Sequence, residues 1–217
     1  GLVKSKAGFL EMLREETEKT GALLLFDEVM TGFRLSKSGF QGLISVKPDL
    51  TTLGKIIGGG FPVGAYGGRA EIMRCVAPSG PVYQAGTLSG NPIAMTAGLA
   101  TINALSDESY ARLETLGAQL ERGILAALEE TGIAAQFQRL GSMWTLFFNA
   151  HPVESYADAK ASDTQKFAQF FHAMLSRGVY LPPAQFEAAF ISLAHTENDI
   201  AFTVEAARQS LQEIATS

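Results

Sequence analysis

The sequence predicts an α/β fold in which helices alternate with the short strands of a largely parallel sheet. A short apolar run at residues 22–26 stops at Asp27 and is typical of a strand that is buried on both faces. A second short strand is expected at residues 50–53, after the turn signal Lys47-Pro48-Asp49, and it stops at Gly54. An amphipathic pattern over residues 8–20 predicts a helix before the first run. Because helical segments separate the strand-like ones, a parallel α/β sheet is expected.

The rest of the chain continues this alternation and suggests a second domain. A third strand is expected at residues 63–67, followed by a helix from Asn91 to Asp107 with Asn91 as its N-cap and Pro92 in its first turn. We place a domain boundary near residue 107, giving a large domain at 1–107 and a small α/β domain at 108–217. The later elements are predicted as helices at 108–131, 162–177 and 197–215 and as strands at 134–140, 143–148 and 186–193.

Composition and charge exclude several kinds of function. The chain has 217 residues and a formal net charge of −5, which does not favour nucleic acid or an anionic membrane as a partner, because both bind basic surfaces. No apolar run approaches the roughly 20 residues of a membrane-spanning helix, and no signal peptide is visible. The single cysteine, Cys75, excludes internal disulfides and suits a reducing compartment. His151 and His172 lack ligand-spaced partners, so no metal site is expected.

An aspartate and a lysine follow two of the predicted strands. Asp27 ends the first apolar run, and Lys55 follows the second and precedes the glycines at 58–60. Ligands of open α/β sheets bind outside the carboxyl ends of the strands, so these two side chains are expected to face one crevice. From the pattern alone, two ordinary alternatives stay open: an aspartate that caps a helix or pairs with Arg34, and a loop lysine beside flexible glycines.

Several segments of this sequence resemble motifs of the class III aminotransferases. Their particular residues resemble those of the glutamate-1-semialdehyde 2,1-aminomutase family. The resemblance extends from about Gly8 to the end of the chain, with three ordered motifs at similar spacing. The segments are LLLFDEVMTGFR at 23–34, TTLGKIIGGGFPVGAYGGR at 51–69, YQAGTLSGNP at 83–92, GVYLPP at 178–183, QFEA at 185–188 and SLAHT at 192–196.

The resemblance implies a role for each matching position. Lys55 resembles the lysine that binds pyridoxal phosphate (PLP) as a Schiff base, and Asp27 resembles the partner of its pyridine nitrogen. Val29 resembles the residue that packs on one face of the ring. Thr87 resembles the threonine that reaches the cofactor phosphate of the other subunit. Glu187 lies in a segment near the substrate end of the family's pocket.

The resemblance also implies a fold, a reaction and a context. It implies the PLP-dependent aminotransferase type I fold, a homodimer, no metal, and a cytoplasmic enzyme (plastid stroma in a plant or alga). The implied reaction is intramolecular amino transfer, with PLP and pyridoxamine phosphate as cofactor forms, converting glutamate-1-semialdehyde to 5-aminolevulinate for tetrapyrrole biosynthesis. Only the carboxyl half of the family is matched, so the family's phosphate-binding loop is not encoded here and the large domain is partial.

Two alternative functions stay open. One is a different class III aminotransferase that uses an external amino donor. The other is an inactive truncated fragment with an incomplete cofactor site. An incomplete large domain is also expected to expose a sheet edge and an apolar face, which favours association with another chain.

Overall fold

The computed structural model describes residues 1–216 and divides into two compact units. One unit runs from Ala7 to Asp107, and the other combines Gly1–Lys6 with the described residues from Glu108 onwards. The sequence placed residues 1–107 in one domain, whereas the first six residues pack with the second unit. The backbone N–H of Leu2 donates to Thr145 Oγ1 at 2.9 Å, which holds this terminal segment there.

The first unit carries the elements that surround the candidate site. A 3₁₀ helix at Phe40–Leu43 lies between its first two strands, and a second 3₁₀ turn at Lys55–Gly58, here called the lysine turn, follows the second strand. The other elements are α1 (Phe9–Thr20), β1 (Leu25–Asp27), β2 (Leu50–Gly54), β3 (Gly64–Gly68), α2 (Ala70–Met73) and α3 (Pro92–Ala104).

The sheet of this unit is mixed, which corrects the prediction of a largely parallel sheet. The strand order is β1-β2-β3, with β1 parallel to β2 and β3 antiparallel to β2. Only residues 55–63 join β2 to β3. A parallel return needs a crossover of about a dozen residues or more, so this short connection imposes an antiparallel pair.

The first strand is less buried than its apolar sequence predicts. Leu24 is buried, but Leu23 and Leu25 are 51% and 49% exposed. Within the described residues, β1 is an edge strand and pairs only with β2. The expectation of a strand covered on both faces is therefore wrong for this structure, and the expected open edge with apolar side chains is present.

A buried carboxylate, Asp49, ties the start of the sheet to α1 and to the end of β3. Its side chain accepts hydrogen bonds from Leu24 N at 2.8 Å, from Arg69 at 2.8 Å and from Arg14 at 3.0 Å. The Arg69 hydrogen bond, followed by that from Leu24, lowers the pKa of Asp49 from 3.8 to about 2. A buried charge is tolerated only when it is paired and hydrogen-bonded, and Asp49 meets both conditions.

We expect Asp49 to make the first unit acid-sensitive. Because its pKa is depressed in the folded state, the unfolded state binds more protons between pH 3.8 and about 2. The stabilisation is therefore present above pH 3.8 and is lost as the pH falls towards 2. The measurement is the thermal unfolding midpoint by circular dichroism from pH 2 to pH 7. Asp49→Asn should lower the midpoint at pH 7 and flatten the acid slope, whereas Glu11→Gln on the exposed face of α1 should do neither; an unchanged slope in Asp49→Asn would contradict the assignment.

The second unit packs three helices on a small antiparallel sheet of order β4-β5-β6. The β5 strand is buried throughout, and Phe147, Phe170 and Leu116 are among the most buried side chains of the core. The predicted strand at 186–193 shortens to two residues. The elements are α4 (Asp107–Thr131), β4 (Gln136–Leu140), β5 (Met143–Phe147), α5 (Tyr156–Lys160), α6 (Thr164–Ser176), β6 (Ala189–Phe190) and α7 (Glu197–Ala215).

Capping residues account for the helix starts that the sequence located well. Asn91 Oδ1 accepts from the N–H groups of Ile93 and Ala94 at 3.1 and 3.2 Å, as expected of the N-cap of α3. Thr196 and Asp199 form a reciprocal capping box at the start of α7. Across residues 1–216, none of the helices combines the length and apolar character that crossing a membrane requires.

Candidate cofactor-binding site

The structure brings Asp27 and Lys55 to the same edge of the sheet. Asp27 is the last residue of β1, and Lys55 is the first residue after β2, its parallel neighbour. Asp27 pairs with Thr52, three residues before Lys55, which corresponds to at most about 10 Å along a strand. Both side chains are exposed at this edge. A carboxylate and an amine can therefore reach one ligand there.

Asp27 is oriented by two neutral donors that leave part of its carboxylate available. Oδ1 accepts from Thr52 Oγ1 and from the backbone N–H of Val29, both at 3.0 Å. Within the described chain, no hydrogen bond or ion pair engages the other oxygen, Oδ2. An oriented carboxylate with a free oxygen suits a ligand that donates an N–H, such as a protonated ring nitrogen.

Lys55 has a strained backbone and an amine without a protein partner. Its φ of +49° lies in the left-handed region, which non-glycine residues rarely adopt. Among residues 1–216, its side-chain amine makes no hydrogen bond or ion pair. Outliers of this kind cluster at functional sites, where the surrounding structure maintains them. The amine is thus free to react with an aldehyde.

Val29 lies against the strand end that precedes Lys55. A Cβ built on the buried Gly54 would lie 3.2 Å from Val29 Cγ1, so the Val29 side chain packs closely against the backbone of Gly54. Val29 also donates its N–H to Asp27, as described above. The structure therefore groups Val29 with Asp27 and Lys55 at one edge, which is compatible with packing against a ring held between them.

In the described residues, no hydrogen bond joins the Thr87 side chain to Asp27 or Lys55. Thr87 lies in an exposed turn whose backbone is closed by Ser89 N donating to Gly86 O at 2.9 Å. Glu187 belongs to the second unit, where its side chain is exposed and its carbonyl accepts from Thr145 Oγ1 at 3.2 Å. The roles predicted for both residues stay predictions.

Sequence reasoning missed Glu28, the buried residue next to Asp27. Its carboxylate is only 2% exposed and accepts from Thr31 Oγ1 at 2.8 Å, from Phe40 N at 2.6 Å, and from both the N–H and the side-chain amide of Gln41 at 2.9 Å. These donors hold the segment that follows β1. The available signal was the acidic doublet itself, because neighbouring strand residues point to opposite faces and only one of the two can face the ligand.

An apolar cleft in the same unit is distinct from the Asp27–Lys55 edge. It has a volume of about 740 Å³ and includes Leu53, Leu88, Met95 and Leu99. Leu53 follows Thr52 in β2 and therefore faces away from Asp27. Among the described residues, no charged side chain lines this cleft, so it does not supply the polar chemistry of a cofactor site. In the described part of the chain, no cluster of three or more potential metal ligands is found.

Comparison with known proteins shows the family of the chain. The profile of the family "Aminotransferase class-III" matches residues 1–211. The chain belongs to the class-III aminotransferase family. It is 58% identical over 211 residues to the glutamate-1-semialdehyde 2,1-aminomutase of Sorangium cellulosum, covering 97% of this chain and 48% of that protein. The corresponding enzyme of Thermomicrobium roseum is 56% identical over 216 residues. The chain spans about half the length of the curated relatives it matches.

Solved structures of a transaminase and of an aminomutase superimpose closely on the chain. An omega-transaminase from Sphaerobacter thermophilus has a TM-score of 0.88 and 35% identity to this chain. The match covers 99% of this chain and 49% of the omega-transaminase chain. A lysine-to-alanine variant of a glutamate-1-semialdehyde aminomutase from Pseudomonas aeruginosa PAO1, in complex with PMP, has a TM-score of 0.88 and 29% identity with the same coverage. The predicted fold class, a partial PLP-dependent aminotransferase fold, is confirmed.

The donor set at the sheet edge fits the ring end of PLP. It offers an unpartnered primary amine at Lys55, an oriented carboxylate with a free oxygen at Asp27, and the apolar side chain of Val29. These groups suit an aldehyde, a ring nitrogen and a ring face, respectively. Thr87, the residue predicted to reach the cofactor phosphate, lies in an exposed turn at residues 87–90.

Proposed function

We propose that this chain carries the ring-binding part of the active site of a PLP-dependent glutamate-1-semialdehyde 2,1-aminomutase. The observation that carries the proposal is the placement of Asp27 and the free amine of Lys55 at the carboxyl ends of adjacent parallel strands. Identities of 53–58% to proteins of that name support this specific activity within the class-III family. The reaction moves an amino group within glutamate-1-semialdehyde and gives 5-aminolevulinate for tetrapyrrole biosynthesis.

We propose a role for each residue at the edge, and their positions in the structure support these roles. Bound PLP or pyridoxamine phosphate supplies an electron sink for charge that develops at the substrate carbon. Asp27, fixed through Oδ1, would hold the protonated ring nitrogen with its other oxygen. Lys55 would hold the cofactor through its amine and, once released, would act as a general acid–base toward the substrate. Val29 would pack on one face of the ring and orient it.

We propose a homodimer in which the Thr87 hydroxyl of one copy donates to the cofactor phosphate of the other. Support comes from the exposure of the Thr87 turn and of large apolar side chains on the first unit, including Leu99 at 62%. Light scattering at micromolar concentration tests the assembly, and a monomer would contradict the homodimer.

For Glu187 we propose a contact with the substrate. For the whole protein we propose a cytoplasmic location, or the plastid stroma in a plant or alga.

The decisive assay separates the aminomutase from an external-donor aminotransferase. The chain is mixed with PLP and glutamate-1-semialdehyde, alone and with the remaining half of the Sorangium cellulosum relative as a separate polypeptide. The full-length relative is the positive control. Formation of 5-aminolevulinate without any added amino donor supports the proposal. Turnover that requires an added amino acid and keto acid would favour the other class-III activity.

An inactive chain is the second candidate, because it spans only about half the length of the curated relatives it matches. The same mixtures test it through PLP retained after borohydride reduction. If borohydride fixes no PLP on Lys55, either in the chain alone or in the chain mixed with the remaining half, the inactive-fragment interpretation is correct.

A further inference from the structure

The lysine turn rests directly on the backbone of α3, with no side chain between them. A Cβ built on Gly98 of α3 would lie 2.1 Å from the carbonyl oxygen of Ile57, in the lysine turn. From the other side, a Cβ on Gly59, which follows the turn, would lie 2.4 Å from the carbonyl oxygen of Ala97. Two glycines thus permit a contact that any larger residue would push apart.

The face of α3 that contacts the lysine turn is also the face by which the helix packs against the rest of the first unit. Ala94 and Gly98, one helical turn apart, are the buried residues of α3, whereas Ile93 and Leu99 on other faces are 61% and 62% exposed. The helix is therefore positioned chiefly through the contact with the lysine turn and its surroundings. The turn, in return, is backed by the helix over Gly98.

A strained conformation needs such a support. The left-handed backbone of Lys55, at φ +49°, persists only where neighbouring structure fixes the segment. Within the turn, Gly59 N donates to Ile56 O and Phe61 N donates to Gly58 O, both at 3.0 Å. These bonds close the turn but do not fix it relative to the sheet. The contact with α3 supplies that constraint.

We infer that Gly98 is a positioning residue for Lys55: the close approach of α3 to Ile57 fixes the lysine turn and thereby the direction of the reactive amine. The inference rests on the proposed function for its chemical consequence, since direction matters only for a ligand held at the Asp27 edge. A displacement of about 1 Å at a reacting group can cost on the order of a hundredfold in rate. A methyl group at residue 98 forces a displacement of this size.

The first experiment measures the turn without any cofactor. Hydrogen exchange followed by mass spectrometry is compared for the parent chain, Gly98→Ala and Gly67→Ala. Gly67 is the matched control, because a Cβ there would meet no atom within 4 Å. We expect exchange in the peptide covering residues 54–61 to accelerate by at least about tenfold in Gly98→Ala and to stay unchanged in Gly67→Ala. Peptides from α4, in the second unit, report the background.

The second experiment measures the direction of the amine. PLP at limiting concentration is reduced onto the chain with borohydride, and the ratio of label on Lys55 to label on the exposed Lys47 is determined by peptide mapping. We expect Gly98→Ala to lower this ratio by on the order of tenfold or more, with Gly67→Ala equal to the parent. If Gly98→Ala does not fold, Ala94→Gly removes a buried methyl from the same face without a clash and is expected to lower the ratio in the same direction.

The outcomes separate the inference from the proposed function. Faster exchange together with a lower Lys55 ratio supports the positioning role. Unchanged exchange overturns it, and so does faster exchange with an unchanged ratio, since the contact would then be structural only. A parent chain that shows no preference for Lys55 contradicts the proposed function instead, and the exchange at residues 54–61 then decides by itself whether Gly98 fixes the turn.

Discussion

Lys55→Ala is expected to abolish covalent retention of PLP and to reduce 5-aminolevulinate formation by at least roughly 10²–10⁴-fold, the range that proton transfer by a positioned side chain supplies. The reason is the position of this amine, which has no partner within residues 1–216 and lies at the sheet edge beside Asp27. The measurement is the mass of the protein after PLP and borohydride, together with turnover in the reconstituted aminomutase assay.

Lys47→Ala is the matched control for this loss. Lys47 is an exposed lysine that precedes β2, and its side chain forms no ion pair in the described structure. Its removal should leave both retention and turnover at the parent value. Equal loss in the two variants, or retention of PLP by Lys55→Ala, would show that Lys55 is not the attachment site.

Strain at Lys55 adds an independent test of the same residue. A left-handed backbone costs a non-glycine residue roughly 1–2 kcal/mol, and φ at Lys55 is +49°. Lys55→Gly should therefore unfold at a higher temperature than Lys55→Ala, although both lack the amine. Equal unfolding midpoints would mean that the turn is not strained, because the left-handed conformation at residue 55 would then not lower the free energy of unfolding.

The sequence predicted those features that depend on local chemistry. The helix at 197–215 was located at both ends, since Thr196 and Asp199 form a capping box and the apolar period is helical. The placement of Asp27 and Lys55 at one edge followed from two strands and a general rule of parallel sheets. The first argument needs only neighbouring residues, and the second needs only the positions at which two strands end.

Features set by distant contacts could not be predicted. The exposure of Leu25 depends on what covers β1, and the antiparallel direction of β3 depends on the short lysine turn and the glycines after it. The left-handed backbone of Lys55 depends on α3, about 40 residues away, through Gly98. The role of Glu28 required the position of Gln41, which no local pattern gives.

Asp27→Asn is expected to separate cofactor attachment from cofactor activation. The amide can keep the shape of the side chain and accept from Thr52 and Val29 through its oxygen, but it carries no charge to hold a protonated ring nitrogen. PLP should still be fixed on Lys55, while turnover in the reconstituted assay falls by about 10²–10³-fold, as for the loss of one oriented electrostatic group in an active site.

Two comparisons decide whether the charge of Asp27 or its orientation causes this loss. Thr52→Val removes the hydroxyl that donates to Oδ1 but leaves the carboxylate charged, so its turnover should fall by only a few fold, in keeping with about 1 kcal/mol for a typical hydrogen bond. A PLP analogue methylated on the ring nitrogen carries a permanent positive charge and should restore part of the turnover of Asp27→Asn but not of Lys55→Ala. Because the analogue replaces only the protonation that Asp27 is proposed to maintain, failure to rescue would mean that Asp27 serves only to hold Thr52 and Val29 in place through its hydrogen bonds.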